Sequence, residues 1–245
     1  MIRAVFFDLD DTLIGYAAAE RAALEAAGAV LCVKTDDLAA ALYAAYTARY
    51  DYGTPGYAEL AALTEGELRG TLTADAMRTL GIATDAALAQ RAIETYAASE
   101  RAALKPFGDT LDTLDSLARR YPLGVITNGP SSMQRAKLAA TGLRHQFALI
   151  VVDTEFGHPK PDPRIFAHAA ARIGFAPDEL LFVGNSAEAD VAGARAAGWT
   201  SVYLNAAGTP FPASLSAPHY TIRTLTELCA LPPLKGGNLA RPASD

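Results

Sequence analysis

From residue 105 onward, short apolar runs alternate with amphipathic segments, and that alternation leaves few folds open. Residues 109–120 place Leu111, Leu114 and Leu117 on one face of a helix. The spacing then predicts a strand at 123–127, a helix at 131–141, a strand at 147–152, a helix at 163–173, a strand at 180–183, a helix at 187–197 and a strand at 200–204. Strands separated by helices and short loops lie parallel, with helices packed on both faces of the sheet. Residues 2–7 form a continuous run of apolar, β-branched and aromatic residues, as a strand buried on both faces requires. A strand at 220–222 and a short helix near 225–228 complete the pattern. The expected fold class is α/β, with a doubly wound, mostly parallel, Rossmann-like sheet.

Residues 17–102 have a different texture, with no strand pattern. Alanine, the best helix former but a poor core filler, dominates here: 27 of the 52 alanines fall within the first hundred residues. Breaks are expected near Gly28, Lys34-Thr35-Asp36, Gly53-Thr54-Pro55-Gly56 and Gly81, which leaves about four helices as a small bundle. Thr35-Asp36-Asp37 and Thr84-Asp85 read as helix N-caps. The organisation expected is a discontinuous α/β core (1–15 and 103–230), a helical cap domain at 16–102 inserted after the first strand, and a loose tail at 231–245.

Composition narrows the function. A mean hydropathy of +0.12 with 20% charged residues excludes wholesale disorder. With 21 basic against 27 acidic residues, the chain lacks the basic surface that a non-specific nucleic-acid binder or an anionic-membrane binder needs. No apolar run approaches the roughly 18 residues of a membrane span, and the N-terminus turns acidic at Asp8 where a secretory leader would be apolar. Cys32 and Cys229 form no CxxC pair and are expected to be reduced thiols in a cytoplasmic protein. A small anionic substrate stays compatible with the net charge of −6, because one local positive group can outweigh it. Monomer and homodimer are both compatible with the sequence.

In an open parallel sheet, ligands sit beyond the carboxyl ends of the strands. The first strand delivers Asp8 and Asp10 there and the second delivers Thr127 and Asn128. Lys160 follows the third strand, and Asn185 and then Asp190 follow the fourth. These residue types suit phosphoryl transfer. A carboxylate can attack phosphorus and become an acyl phosphate. A second carboxylate, two residues on, can protonate the leaving oxygen and then activate water. Lysine, hydroxyl and amide donors can hold the phosphoryl oxygens as their charge shifts. Acidic and amide oxygens together make a hard-oxygen site suited to Mg²⁺.

Four ordered segments carry a resemblance: Asp8-Leu9-Asp10-Asp11-Thr12-Leu13, Ile126-Thr127-Asn128-Gly129, Lys160-Pro161-Asp162-Pro163, and Val183-Gly184-Asn185-Ser186 with Asp190. They resemble the motifs of the haloacid dehalogenase-like hydrolases, and the likeness extends to the helical insertion after the first motif. It implies that Asp8 is the nucleophile and a Mg²⁺ ligand. Asp10 is then the general acid/base, lending its backbone carbonyl to the metal. Thr127 and the Asn128 backbone bind the phosphoryl group, Lys160 neutralises nucleophile and phosphate, and Asp190 orients the metal or its waters. The implied activity is Mg²⁺-dependent hydrolysis of a small phosphorylated metabolite, of the nucleotide or sugar phosphate class, under a cap that closes over the site.

Asn185 departs from the pattern. Phosphatases of this family usually carry Asp there, and the amide offers an uncharged carbonyl oxygen. The alternative it raises is a non-catalytic or weakly active binding protein. A 2-haloacid dehalogenase is a lesser alternative, because those enzymes lack an acid at the position of Asp10. Asp11 reads as a turn residue, His158 as a loop residue, Asp162 and Arg164 as helix caps, and Trp199 as packing. Tyr43, Tyr46, Arg49, Tyr50 and Tyr52 read mostly as bundle core or solvated face.

Overall fold

A computed structural model describes residues 1–83 and 85–235; Thr84 and residues 236–245 of the expected tail lie outside the described residues. The chain runs from β1 (Ala4–Phe7) into helices α1 (Tyr16–Leu31), α2 (Thr35–Tyr50), α3 (Pro55–Glu59), α4 (Glu65–Thr79), α5 (Ala86–Ala103) and α6 (Thr110–Ala118). Then follow β2 (Leu123–Thr127), α7 (Ser131–Ala140), β3 (Leu149–Val152), the single turn α8 (Asp153–Phe156), α9 (Pro163–Ile173) and β4 (Leu180–Gly184). A π-helical segment, Ala187–Ala192, continues into α10 (Gly193–Ala196), before β5 (Thr200–Leu204) and β6 (Tyr220–Ile222).

The strands form one six-stranded sheet in the order β3-β2-β1-β4-β5-β6, and every pairing is parallel. Every residue of β1, β2 and β4 is buried. Successive side chains of a strand point to opposite faces, so both faces of the sheet are covered. This is the α/β, Rossmann-like arrangement that the alternation of runs predicts. On one face Phe6, Phe166 and Trp199 meet edge to face, with centroids 5.1 Å (Phe6–Trp199) and 5.6 Å (Phe166–Trp199) apart. Trp199 is packing, fully enclosed. Gly124 lies against Phe6, and a Cβ on it would stand 2.2 Å from a ring carbon, so β2 can lie beside β1 only with glycine there. The order also makes β1 the switch point: the chain leaves it to one side for β2 and β3 and returns to its other side for β4. Such a point opens a crevice at the carboxyl end of the strand.

Contacts divide the chain into two compact units. One comprises Met1–Ile14, Pro106–Gly129 and the described residues from Thr141 to Lys235; the other comprises Gly15–Lys105 and Pro130–Ala140. Helix α7, which the alternation of segments groups with the α/β part, therefore associates with the helical unit. Its side chains explain this: Met133 packs on the cluster of Tyr50, Tyr57, Leu60 and Leu68, and Lys137 Nζ lies 3.3 Å from the centroid of the Tyr16 ring.

Three local expectations are corrected. Gly28 does not break a helix: α1 runs on to Leu31 and ends at Cys32 in the left-handed region, with the Val33 N–H returning to the Gly28 carbonyl at 2.9 Å. A Cβ on Gly28 would come within 3.0 Å of the Val33 oxygen, so the glycine serves the returning chain. Thr35 is not a cap, because α2 already includes it and begins after Lys34 with no side-chain cap; Asp85 does cap α5, accepting from the Ala87 N–H at 2.8 Å. The chain is also anchored past residue 231: Leu234 is buried, and its carbonyl accepts from the Tyr121 hydroxyl at 3.3 Å.

Candidate active site

The Asp8 N–H donates to the Val183 carbonyl at 2.9 Å, which carries the β1–β4 ladder one residue past Phe7 and fixes where the Asp8 side chain points. The chain then turns sharply. The Leu9 carbonyl accepts from the amides of Thr12, Leu13 and Ile14, and Asp11 takes a left-handed φ of 57°. Asp tolerates that region better than most residues, so Asp11 is the turn residue its position suggested. The turn brings Thr12 back to Asp8. Thr12 Oγ1 lies 3.1 Å from Asp8 Oδ2 and 3.2 Å from Asn185 Oδ1. A hydroxyl has one proton, so it donates to one of these oxygens at a time.

Lys160 Nζ is held 2.6 Å from Asp8 Oδ1 and 2.7 Å from Asp190 Oδ1, and all three side chains are buried. Burial by itself would lower the Lys160 ammonium, but the carboxylates of Asp190 and Asp8 outweigh it and hold its pKa above that of an ordinary lysine. Burial pushes the Asp190 carboxyl upward, and Lys160 opposes that push. The second Asp190 oxygen accepts from the Ser186 N–H at 2.8 Å. Gly184 makes room for this carboxyl: a Cβ there would fall 2.3 Å from Asp190 Cγ. Gly184→Ala is therefore expected to push Asp190 off Lys160 and to destabilise the fold by about 1–3 kcal/mol, read as a lower urea midpoint. An unchanged midpoint would contradict the contact.

Asn128 sets the position of Lys160. Its Oδ1 accepts from the Lys160 N–H and its Nδ2 donates to the Lys160 carbonyl, both at 2.9 Å. The Asn128 side chain is thus a clamp on the Lys160 peptide, and any phosphate contact of Asn128 falls to its backbone. Thr127 Oγ1 is buried and has no hydrogen-bond partner among the described residues. A buried hydroxyl left so costs about 1–3 kcal/mol, which marks it as a donor kept for something else. Asp10 stands half-buried in the turn, bridged to Ile14.

Two contributors were missed by sequence reasoning. Thr12 is one. The other is α8, where Asp153 Oδ1 accepts from the Gly129 N–H at 2.7 Å and Thr154 Oγ1 donates to the Gly129 carbonyl at 3.1 Å. This pair pins the end of the Thr127–Gly129 segment, where Gly129 has a φ of 132°. A carboxylate directly after the third strand was the available signal. Elsewhere, Asp162 accepts from the Arg164 N–H at 2.9 Å and caps α9, and its ion pair with Arg164 holds its carboxyl down to about 2. His158 packs edge-on to Phe156.

Among the described residues, no three His, Cys, Asp or Glu side chains cluster as ready metal ligands. Asp8 Oδ2 and Asn185 Oδ1 nevertheless converge on one hydrogen donor, and both are hard oxygens of the kind Mg²⁺ prefers. The donor set therefore fits that ion.

A family model for haloacid dehalogenase-like hydrolases matches residues 2–198. The chain belongs to that family. Among curated relatives of this haloacid dehalogenase-like hydrolase, the glyceraldehyde 3-phosphate phosphatase of Methanopyrus kandleri is 32% identical over 211 residues, covering 83% of this chain and 84% of that protein. The 2-haloacid dehalogenase of Pseudomonas syringae pv. Tomato DC3000 matches in structure with a TM-score of 0.71 and 28% identity, over 94% of this chain and 97% of that one. The putative hydrolase YfnB of Bacillus subtilis, crystallised bound to magnesium, matches with a TM-score of 0.68 and 25% identity, again over 94% and 97%. Among the described residues, no helix is long and apolar enough to cross a membrane.

Proposed function

We propose that this chain is a cytoplasmic, Mg²⁺-dependent phosphomonoester hydrolase acting on a small phosphorylated metabolite, of the nucleotide or sugar phosphate class, through an aspartyl phosphate on Asp8. The observation that carries the reading is the Lys160 ammonium shared by Asp8 and Asp190 at the switch point of the sheet. It sets a positive charge directly against Asp8, where phosphoryl oxygens would arrive. The phosphatase name of the Methanopyrus kandleri relative supports the same reading.

In the first step an Asp8 carboxylate oxygen attacks phosphorus, the bond to the leaving oxygen breaks, and Asp10 gives that oxygen its proton. In the second, water attacks the phosphorus, loses a proton to Asp10, and displaces the Asp8 oxygen to release phosphate. Thr127 Oγ1 and the Asn128 backbone amide would donate to the phosphoryl oxygens, and Lys160 would offset their charge. Asp8, the Asp10 carbonyl, Asn185 and Asp190 would hold Mg²⁺, which when bound offsets repulsion between a carboxylate and an anionic phosphate. The helical unit would be the cap, the role expected of residues 16–102.

Hydrolysis of p-nitrophenyl phosphate with Mg²⁺, lost on adding EDTA, is the test. A folded protein silent in that assay would overturn the reading, and metal-independent chloride release from 2-chloropropionate would replace it with dehalogenation. A finer prediction concerns Asn185. Restoring a full negative charge with Asn185→Asp should lower the half-saturating Mg²⁺ concentration by about tenfold, a conservative figure for one charge a few ångströms from a divalent ion. An unchanged Mg²⁺ titration would show that position 185 does not face the metal.

A further inference from the structure

The helical unit holds a partly open cavity of about 510 Å³. Its walls come from that unit alone, Pro130 and Met133 included. The volume lies inside the range of about 300–1,000 Å³ that small-molecule pockets occupy. Most of the lining is aliphatic: Leu24, Leu38, Leu42, Leu68, Leu72 and Ile93 all contribute. The sequence explains why the space exists. Alanines stand at Ala27, Ala39 and Ala92, where larger side chains would have closed the bundle. Apolar wall atoms left uncovered forfeit dispersion contacts that a bound molecule would supply.

Each charged group in the wall has a hydrogen-bond partner, and those of Arg69 lie behind the lining. Arg69 bonds Glu65 at 2.8 Å, pairs with Glu100, and lies 4.5 Å from the centroid of the Tyr96 ring. Glu20 accepts from the Tyr16 hydroxyl at 3.1 Å. With its cation and its carboxylate both engaged, the cavity selects for apolar surface and not for charge.

We propose that this cavity is a binding site for a compact, neutral, largely apolar or aromatic molecule. Two sources share that chemistry: the organic part of the enzyme's own substrate, or a separate small ligand. The proposal stands without the phosphatase reading, and its primary test measures binding alone.

The probe is 1-naphthol, titrated into the full chain by calorimetry. Saturable one-to-one binding tighter than about 1 mM is expected, within reach of a ligand of this size. Ala92→Leu, which fills the interior, should weaken it at least fivefold. Ala39→Leu, at a half-buried position that accepts a larger side chain more readily, should do the same if the interior variant fails to fold. No saturable heat with the unaltered chain, or wild-type affinity in a folded Ala39→Leu variant, would overturn the proposal. Competitive inhibition of p-nitrophenyl phosphate hydrolysis by naphthol would assign the cavity to the substrate's organic part. Binding that leaves KM unchanged would assign it to a separate ligand. Both results uphold the site. Should the chain hydrolyse no phosphate ester, the calorimetric result still decides the cavity's role.

Discussion

Asp8→Asn is expected to abolish turnover of p-nitrophenyl phosphate, by at least about 10⁴-fold in kcat, while leaving the fold intact. The amide cannot become the acyl phosphate, so the proposed covalent route closes. The local hydrogen bonds, however, can all be remade. The amide oxygen can accept from Lys160 in place of Asp8 Oδ1, and the amide nitrogen can donate to Thr12 Oγ1. Thr12 is then free to give its own proton to Asn185 Oδ1, an arrangement better satisfied than one proton contested by two acceptors. The charge count also improves, from two carboxylates sharing one buried ammonium to a single balanced pair of Lys160 and Asp190. Thermal unfolding should therefore show the variant as stable as the parent or more so. Residual turnover above about one per cent would mean that another group carries the chemistry, since loss of a covalent nucleophile is not partial.

The strands of the α/β part were legible because burial on both faces demands uninterrupted apolar runs, and the sequence holds such runs at 123–127 and 180–183. The convergence of Asp8, Lys160 and Asp190 followed from the rule that a parallel sheet presents its strand ends on one edge. Thr12 escaped notice for the opposite reason. Its role consists of a contact to a residue 173 positions away, and nothing local to a threonine in a turn announces that. Asp153 was hidden likewise, because its task is to receive one backbone N–H of Gly129. In the helical region, alanine signals helix without signalling which face is inward. Gly28 could then pass for a break, and the cavity left by Ala27 and Ala92 had no signature in the pattern. The membership of α7 rests on what Met133 and Lys137 touch, which periodicity does not report.

Lys160→Met should be the most damaging single change to stability, at about 3–5 kcal/mol, the usual cost of removing one partner from a buried ion pair. The methionine would fill the space of the lysine stem beside the Phe182 ring, so the loss is electrostatic and not a cavity. Two buried carboxylates are left with no counter-charge. The effect should depend on pH, and its sign follows from proton counting. Burial already pushes the Asp190 carboxyl upward, and Lys160 is the group that restrains it. Without Lys160 the folded-state pKa of Asp190 climbs further above the unfolded value of about 3.9. The folded variant then binds more protons than the unfolded one over the window between those two values, so its stability falls as pH rises through that window. In the unaltered chain the raised pKa of Lys160 has its stabilising effect below the lysine range and loses it only in strong alkali. Urea unfolding at pH 5 and pH 8 should therefore show a deficit that is small at the lower pH and full at the higher. Adding Asp190→Asn should recover part of the loss at pH 8, because it removes one of the two stranded charges. A deficit equal at both pH values, and untouched by the second substitution, would mean that Lys160 stabilises the fold by packing and not by joining Asp8 to Asp190.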